Sequence, residues 1–392
     1  MKKSSVKPLV FLGALLILLA GAVLIVQETA IPNAEKLILA ERGGDQLAGA
    51  YYPGRYPAGV ILAEGFGSDQ TALRSLVEAF TRSGYHVMTF DFSGHGRSPG
   101  GLAFDNAETE RLALQILDAK EVFKSRSGLG DRQILLVGHS LGARAALQSA
   151  VLDSDPPGGL ILLGTQVNLV PSVQAEVFTG VRDTDLAWIN SLGPDSPESN
   201  VLLVSGEWDD ILPPRAAALL FQKLSGRMVE EGAHSGDPEM GTWRRILLVD
   251  MVLHNYEVYS RKVIQAVLEG AELFTGIPGQ PGAAGLAQSR YLAWGGAVAA
   301  LFLLLGGINL SLPGKITDSV QTGLTLEAPR GYFLSKILLW LPALIPGALL
   351  GGLIFISPLG TPAFNLVYIA FLGGYGLVLL LFYQLGWMRG VS

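Results

Sequence analysis

Ile134-Leu135-Leu136-Val137-Gly138-His139-Ser140-Leu141-Gly142-Ala143-Arg144-Ala145-Ala146-Leu147-Gln148 is an apolar run, a glycine-flanked serine and a helix-forming run in direct succession. The order reads as strand, tight turn and helix with Ser140 at the apex. A serine at such a turn has a strained backbone, and residues two before and two after it come too close for a Cβ. Gly138 and Gly142 meet that requirement. The turn lifts the hydroxyl clear of the sheet. It also leaves the N–H of Leu141 at a helix N-terminus, where it can face a developing negative charge.

Outward from this turn, short apolar runs alternate with helical patterns, the signature of a parallel α/β sheet. The pattern predicts strands at Lys36–Ala40, Gly59–Ala63, His86–Asp91, Gln133–Val137, Gly159–Leu163, Asn200–Ser205 and Arg227–Glu231. It predicts helices over about Thr71–Ser83, Asp105–Lys124, Leu141–Val151, Pro213–Leu224 and Gly241–Phe274. The stretch 165–199 breaks the rhythm and is expected to form a small cap, with Val167, Leu169, Val173, Val177, Phe178, Trp188 and Ile189 available to line a pocket or to pack the cap.

A reactive serine needs a base, and the base needs a carboxylate. At a serine elbow in this kind of sheet the chain order is serine, acid, histidine. Of five histidines, His86 and His95 precede the serine, and His139 adjoins it with its side chain expected to point away. His234, in Glu231-Gly232-Ala233-His234, follows the predicted last strand and is preferred as the base. His254 lies in a helical pattern and is the rival. The acid is expected after Asn200–Ser205, in Gly206-Glu207-Trp208-Asp209-Asp210, with Asp209 preferred over Asp210 and Glu207. The loop Ala63-Glu64-Gly65-Phe66-Gly67-Ser68 should supply a second backbone donor, the Phe66 N–H beside that of Leu141.

Composition sets the compartment. The chain has 392 residues, 49% hydrophobic and only 16% charged. A soluble protein is nearer a quarter charged, so part of this chain is expected in lipid. A formal charge of −6 with no long basic run argues against nucleic-acid binding. The absence of cysteine excludes disulfides, thiolate metal sites and a cysteine nucleophile. Leu9 to Val26 is an uncharged apolar run after Lys2, Lys3 and Lys7, and reads as a retained anchor over residues 1–30 rather than a cleaved signal. Residues 31–275 carry the α/β pattern and 276–290 form a linker. Residues 291–392 form a membrane domain with spans at about 291–312, 337–356 and 364–386. Lysines and arginines at the N-terminus, between the second and third spans (Lys315, Arg330, Lys336) and in the tail (Arg389) place both ends in the cytoplasm. The α/β domain is then expected outside it. Gly347–Gly352 and Gly373–Gly376 would permit helix-mediated self-association.

Over about residues 35 to 270 the chain resembles the α/β-hydrolase-fold serine hydrolases, and within them the monoacylglycerol lipase and serine aminopeptidase-like branch. The resemblance rests on Gly65-Phe66-Gly67, Asp91-Phe92-Ser93-Gly94-His95-Gly96-Arg97-Ser98, Gly138-His139-Ser140-Leu141-Gly142, Gly206-Glu207-Trp208-Asp209 and Gly232-Ala233-His234. It implies a nucleophile at Ser140, an acid at Asp209 and a base at His234. It gives His95 no catalytic role. The family usually has His-Gly at the start of the oxyanion loop, and this chain has Glu64-Gly65. Glu64 either braces the loop or brings negative charge near the oxyanion.

The function expected from these residues is cleavage of an ester, and after it of an amide or peptide bond, by a membrane-held enzyme without metal or organic cofactor. The partners expected are a small-molecule or lipid ester and membrane lipid. The alternative is a weakly active or inactive binding or sensory module coupled to the membrane helices. A transport role for the spans is disfavoured, because no charge lies between Ile337 and Met388.

Overall fold

The structure is a computed structural model that describes residues 7–29, 33–40, 46–101, 106–165, 192–228, 234–285 and four positions between 293 and 300. Residues 166–191 of the expected cap (165–199) and the three expected C-terminal spans, save those four positions, lie outside the described residues, as do 229–231 of the predicted strand Arg227–Glu231. The chain divides into two compact units, Gln27–Arg290 and Met1–Val26 with Tyr291–Ser392.

In the second of these the described element is helix α1 (Lys7–Thr29), 23 residues long. Its side chains are described from 11 to 23. Among residues described in full, no helix is long and apolar enough to cross a membrane.

The first unit is built on one nine-stranded sheet in the order β1-β2-β4-β3-β5-β6-β7-β9-β8. The strands are β1 (Glu35–Ala40), β2 (Gln46–Tyr52), β3 (Gly59–Ala63), β4 (His86–Phe90), β5 (Ile134–His139), β6 (Gly159–Leu163), β7 (Asn200–Gly206), β8 (His234–Ser235) and β9 (Arg244–Val249). Neighbours from β4 to β9 are parallel, while β1–β2, β2–β4 and β8–β9 are antiparallel. The helices are α2 (Arg74–Arg82), α3 (Asn106–Ser127), α4 (Leu141–Leu152), α5 (Pro214–Ser225) and α6 (Arg261–Thr275).

The central strands β3, β5, β6 and β7 are buried at every position because both faces are covered. Ile61, Leu136, Leu160 and Leu203 join Leu112, Ile116, Ala146 and Leu220 of α3, α4 and α5 in one core. Their neighbours Leu62, Val137, Ile161 and Val204 join Leu76, Phe80, Ile264 and Val267 of α2 and α6 in the other. The period of two along each strand thus splits one apolar run between two cores. The residues after α6 dock on this unit: the Tyr85 hydroxyl donates to the Ile277 carbonyl at 2.8 Å, and the Gln280 N–H donates to Ser83 Oγ at 2.9 Å.

Several elements differ from the sequence expectation, the short strand β8 among them. β2 was not expected; Gly49 interrupts its apolar pattern, and there a Cβ would stand 3.1 Å from the Thr89 carbonyl oxygen of β4. The expected helix Gly241–Phe274 is a strand, a 3₁₀ turn and a helix: β9, His254–Tyr259 and α6. Arg244–Val249 pairs with β7 from Val201 to Gly206 and is the last parallel strand.

Candidate active site

Every chemical group of the site leaves the same edge of the sheet. Since β3, β5, β7 and β9 run parallel, the loops after their C-terminal ends converge. Those loops carry Glu64–Ser68, Ser140, Asp209 and His254.

Ser140 has φ 56° and ψ −115°. A non-glycine residue in this region is strained, and tertiary contacts hold it there. Its N–H donates to the Leu163 carbonyl at 2.9 Å, and its carbonyl accepts from the Arg144 N–H at 3.2 Å. A Cβ on Gly138 would come 2.4 Å from the Gly142 carbonyl oxygen, and one on Gly142 would come 2.4 Å from the Ala63 and Glu64 carbonyl oxygens. Both glycines are therefore required by close approach. Leu141 opens α4, and its N–H is among the first donors of that helix, which lack an intrahelical acceptor.

The base position is held by His254. Its Nε2 lies 3.0 Å from Ser140 Oγ, and its Nδ1 lies 2.7 Å from Asp209 Oδ2. An ionised carboxylate only accepts, so Nδ1 carries the proton and Nε2 faces the serine hydroxyl as acceptor. The other Asp209 oxygen accepts from the N–H groups of Ile211 and Leu212 at 2.9 and 2.7 Å. Asp209 and His254 are buried, whereas Asp210 and Glu207 are exposed.

The expectation that His234 serves Ser140 is corrected by this geometry. His234 belongs to β8 and pairs with Arg245, near the start of β9. It is exposed, lies at the opposite edge of the sheet from Ser140, and stacks near Trp243 with ring centroids 6.2 Å apart. The error follows from β9. Once Arg244–Val249 is the last parallel strand, the loop after it carries His254. The only local trace of this strand is Ile246-Leu247-Leu248-Val249, a four-residue apolar run that suits a strand or a buried helix segment equally.

Further residues hold the base loop. Met251 has φ 59°, and the Trp208 N–H donates to the Val252 carbonyl at 3.2 Å. Glu257, fully buried, accepts the Gly206 N–H at 2.7 Å. His139 points away from Ser140; its Nε2 lies 3.2 Å from the His254 carbonyl oxygen and 3.4 Å from Glu257 Oε2. No local sequence pattern singles out Glu257. Ligand atoms of His139, His254 and Glu257 cluster within 4.8 Å. Both nitrogens of His254 are already engaged, so a metal ion here would have to dismantle the contact with Asp209 or Ser140.

The oxyanion loop packs directly on the elbow: a Cβ on Gly65 would stand 3.2 Å from Ser140 Cβ. The 3₁₀ turn that follows is capped by Asp69, whose Oδ1 accepts the Thr71 N–H at 2.8 Å. Glu64 turns away from the serine into the protein. Its Oε1 accepts from the Phe92 N–H at 2.8 Å and lies 3.1 Å from His95 Nδ1. Burial pushes the Glu64 carboxyl up to about 6.

Residues 55–199 match the family model described as serine aminopeptidase, S33. The match contains the oxyanion loop and Ser140 and ends before Asp209 and His254. An uncharacterised protein of Mycobacterium tuberculosis (strain ATCC 25618 / H37Rv) is 27% identical over 223 residues, 54% of this chain and 75% of that protein. The lipase LipV of the same organism is 33% identical over 135 residues, 34% of this chain and 46% of the lipase. Among solved structures, an esterase of Pyrococcus furiosus superposes with a TM-score of 0.48 at 17% identity, covering 63% of this chain and 92% of the esterase. The sheet order is that of an α/β-hydrolase fold, and residues 55–199 are similar to that family.

Proposed function

We propose that this α/β-hydrolase is a membrane-held serine hydrolase that cleaves an ester through Ser140, His254 and Asp209. The observation that carries the reading is the continuous chain of contacts from Asp209 Oδ2 through His254 to Ser140 Oγ, at 2.7 and 3.0 Å. Ser140 Oγ attacks the acyl carbon as its proton passes to His254 Nε2. The Phe66 and Leu141 N–H groups stabilise the oxyanion. His254 then gives the proton to the leaving alkoxide, and an acyl-enzyme remains. Water repeats the sequence, with its proton taken by His254, and frees the acid. Asp209 keeps the imidazole in the required tautomer and stabilises the imidazolium.

An apolar ester suits the described rim. Phe66, Trp208, Met251 and Leu253 expose apolar side chains on the loops that hold the site. The name of the lipase relative points to the same substrate class. In this reading the apolar helix α1 and the uncharged C-terminal runs hold the enzyme to the membrane, and residues 28 to 289 face away from the cytoplasm.

The test is fluorophosphonate labelling of the full chain, with turnover of esters of increasing acyl length. Label on Ser140, abolished by heat denaturation and by Ser140→Ala, supports the reading. A folded wild type that neither labels nor turns over esters sinks it. For the membrane arrangement, a tag near Gln280 should be accessible from outside and a reporter after Ser392 cytoplasmic. Both on one side would reject it.

A further inference from the structure

The hydrolase reading uses one carboxylate–imidazole pair and leaves a second, fully buried pair beneath the oxyanion loop. Glu64 leaves the end of β3 and His95 lies in the loop after β4; they are 0% and 1% exposed. His95 Nδ1 lies 3.1 Å from Glu64 Oε1, and His95 Nε2 accepts the N–H of Gly67 at 3.2 Å. An amide N–H can only donate, so Nε2 must carry a lone pair and the single proton sits on Nδ1, facing the carboxylate. The three groups fit one protonation pattern. A second proton on His95 would set an N–H donor against an N–H donor.

We propose that Glu64 and His95 are positioning residues for the oxyanion loop: the pair fixes the Gly67 amide and, through it, the direction of the preceding Phe66 N–H. The proposal rests on the hydrolase reading and assigns a purpose to the residue by which this chain departs from its family's usual His-Gly. Each link in the path is short. Gly67 has φ 65°, and the Ser68 N–H closes the turn on the Gly65 carbonyl at 3.3 Å. The Phe66 ring meets His95 edge-on, with centroids 6.3 Å apart. Gly65 lies against Ser140, so the orientation of this turn sets where its N–H groups point relative to the nucleophile.

The His95 end is itself anchored. The His95 N–H donates to the Phe92 carbonyl at 2.9 Å, and the Ser98 N–H donates to the His95 carbonyl at 2.9 Å. Asp91 ties the same loop to the 3₁₀ turn, accepting the N–H groups of Gln70 and Arg97 at 2.8 and 2.9 Å. Glu64 Oε2 has no hydrogen-bond partner among the described residues. A carboxylate buried with one oxygen unanswered costs stability, which is the mark of a group kept for what its other oxygen does.

The test has two arms on the full chain. In ¹⁵N-histidine NMR, the His95 signal, assigned by its loss in His95→Phe, should show a proton on Nδ1 and a bare Nε2. A proton on Nε2 overturns the proposal whatever the activity. An Nδ1 pattern in a wild type that is inert toward esters and probe keeps the brace and overturns the hydrolase reading instead. In the kinetic arm, His95→Phe should lower kcat about 30-fold with KM within about threefold, and slow fluorophosphonate labelling in parallel, since donors aimed at the oxyanion act on the transition state. Glu64→Ala should match it, and Glu64→Gln, which keeps an oxygen acceptor, should recover to within about fivefold of wild type. If His95→Phe fails to fold, the Glu64 pair decides. Equal kcat for Glu64→Ala, Glu64→Gln and wild type would overturn the proposal.

Discussion

Asp209–His254 and Glu64–His95 lie at the same sheet edge and share one internal design. In each, a buried carboxylate holds the Nδ1 proton of a buried imidazole and leaves Nε2 as an acceptor. They differ in what meets Nε2. His254 meets the hydroxyl of Ser140 at 3.0 Å, a group that can surrender its proton to an imidazole as it attacks. His95 meets the Gly67 amide at 3.2 Å, a group that cannot. One pair can therefore move a proton, while the other can only hold a direction. The third partner, rather than the carboxylate–histidine pair, decides between chemistry and posture.

The contrast breaks outright if Ser140 does not make the first pair reactive. Ser140→Ala should abolish probe labelling, and His254→Ala should lower kcat/KM by about four orders of magnitude or more. Ester hydrolysis at near wild-type rate in a folded His254→Ala protein would reject the pair. Asp209→Asn should cost about three to four orders in kcat, because the amide no longer selects the Nδ1–H tautomer. Labelling at the wild-type rate in that variant would show that the acid is not needed to orient the base.

Folding stability should also depend on pH through Glu64. Burial raises the Glu64 carboxyl from 4.5 to about 6. A carboxyl raised on folding favours the fold fully below its unfolded value, and that contribution is lost as pH rises through the folded value. Chemical denaturation should therefore show wild-type stability falling, relative to Glu64→Gln, by about 2 kcal/mol between pH 4.5 and 7. Parallel curves for the two proteins would mean that Glu64 titrates as it does in the unfolded chain. The smallest effects belong to the residues outside both pairs. His234→Ala and Asp210→Asn should keep kcat/KM within about twofold of wild type, and a large loss in either would reopen the assignment of base or acid.

What the sequence disclosed and what it withheld divide along β9. The strand–turn–helix at Ser140 was legible because three local demands coincide there: an apolar run, two glycines forced by close approach, and a good helix former after the turn. Asp209 was legible as the carboxylate just after an unmistakable apolar strand. His254 was not, because Arg244–Val249 opens on two arginines and runs without a glycine break into residues of equally good helix propensity. Pairing with β7, a contact between segments more than 40 residues apart, is what makes it a strand. Misplacing that strand moved the expected base to His234, at the other end of β9. The role of Glu64 was open for a similar reason. Its partners, Phe92 and His95, lie about 30 residues away, and no local pattern says which way its side chain turns.

The backbone of Ser140 carries a consequence of its own. Its φ of 56° suits glycine better than any residue with a Cβ, and its N–H bond to Leu163 needs no side chain. Ser140→Gly should thus relieve about 1 kcal/mol of strain while removing the nucleophile, leaving a protein that melts higher than the wild type and turns over nothing. Such a variant would keep the shape of its site and lack the means to consume what enters it. That makes it a bait with which the natural ester could be drawn from a lipid extract and identified intact.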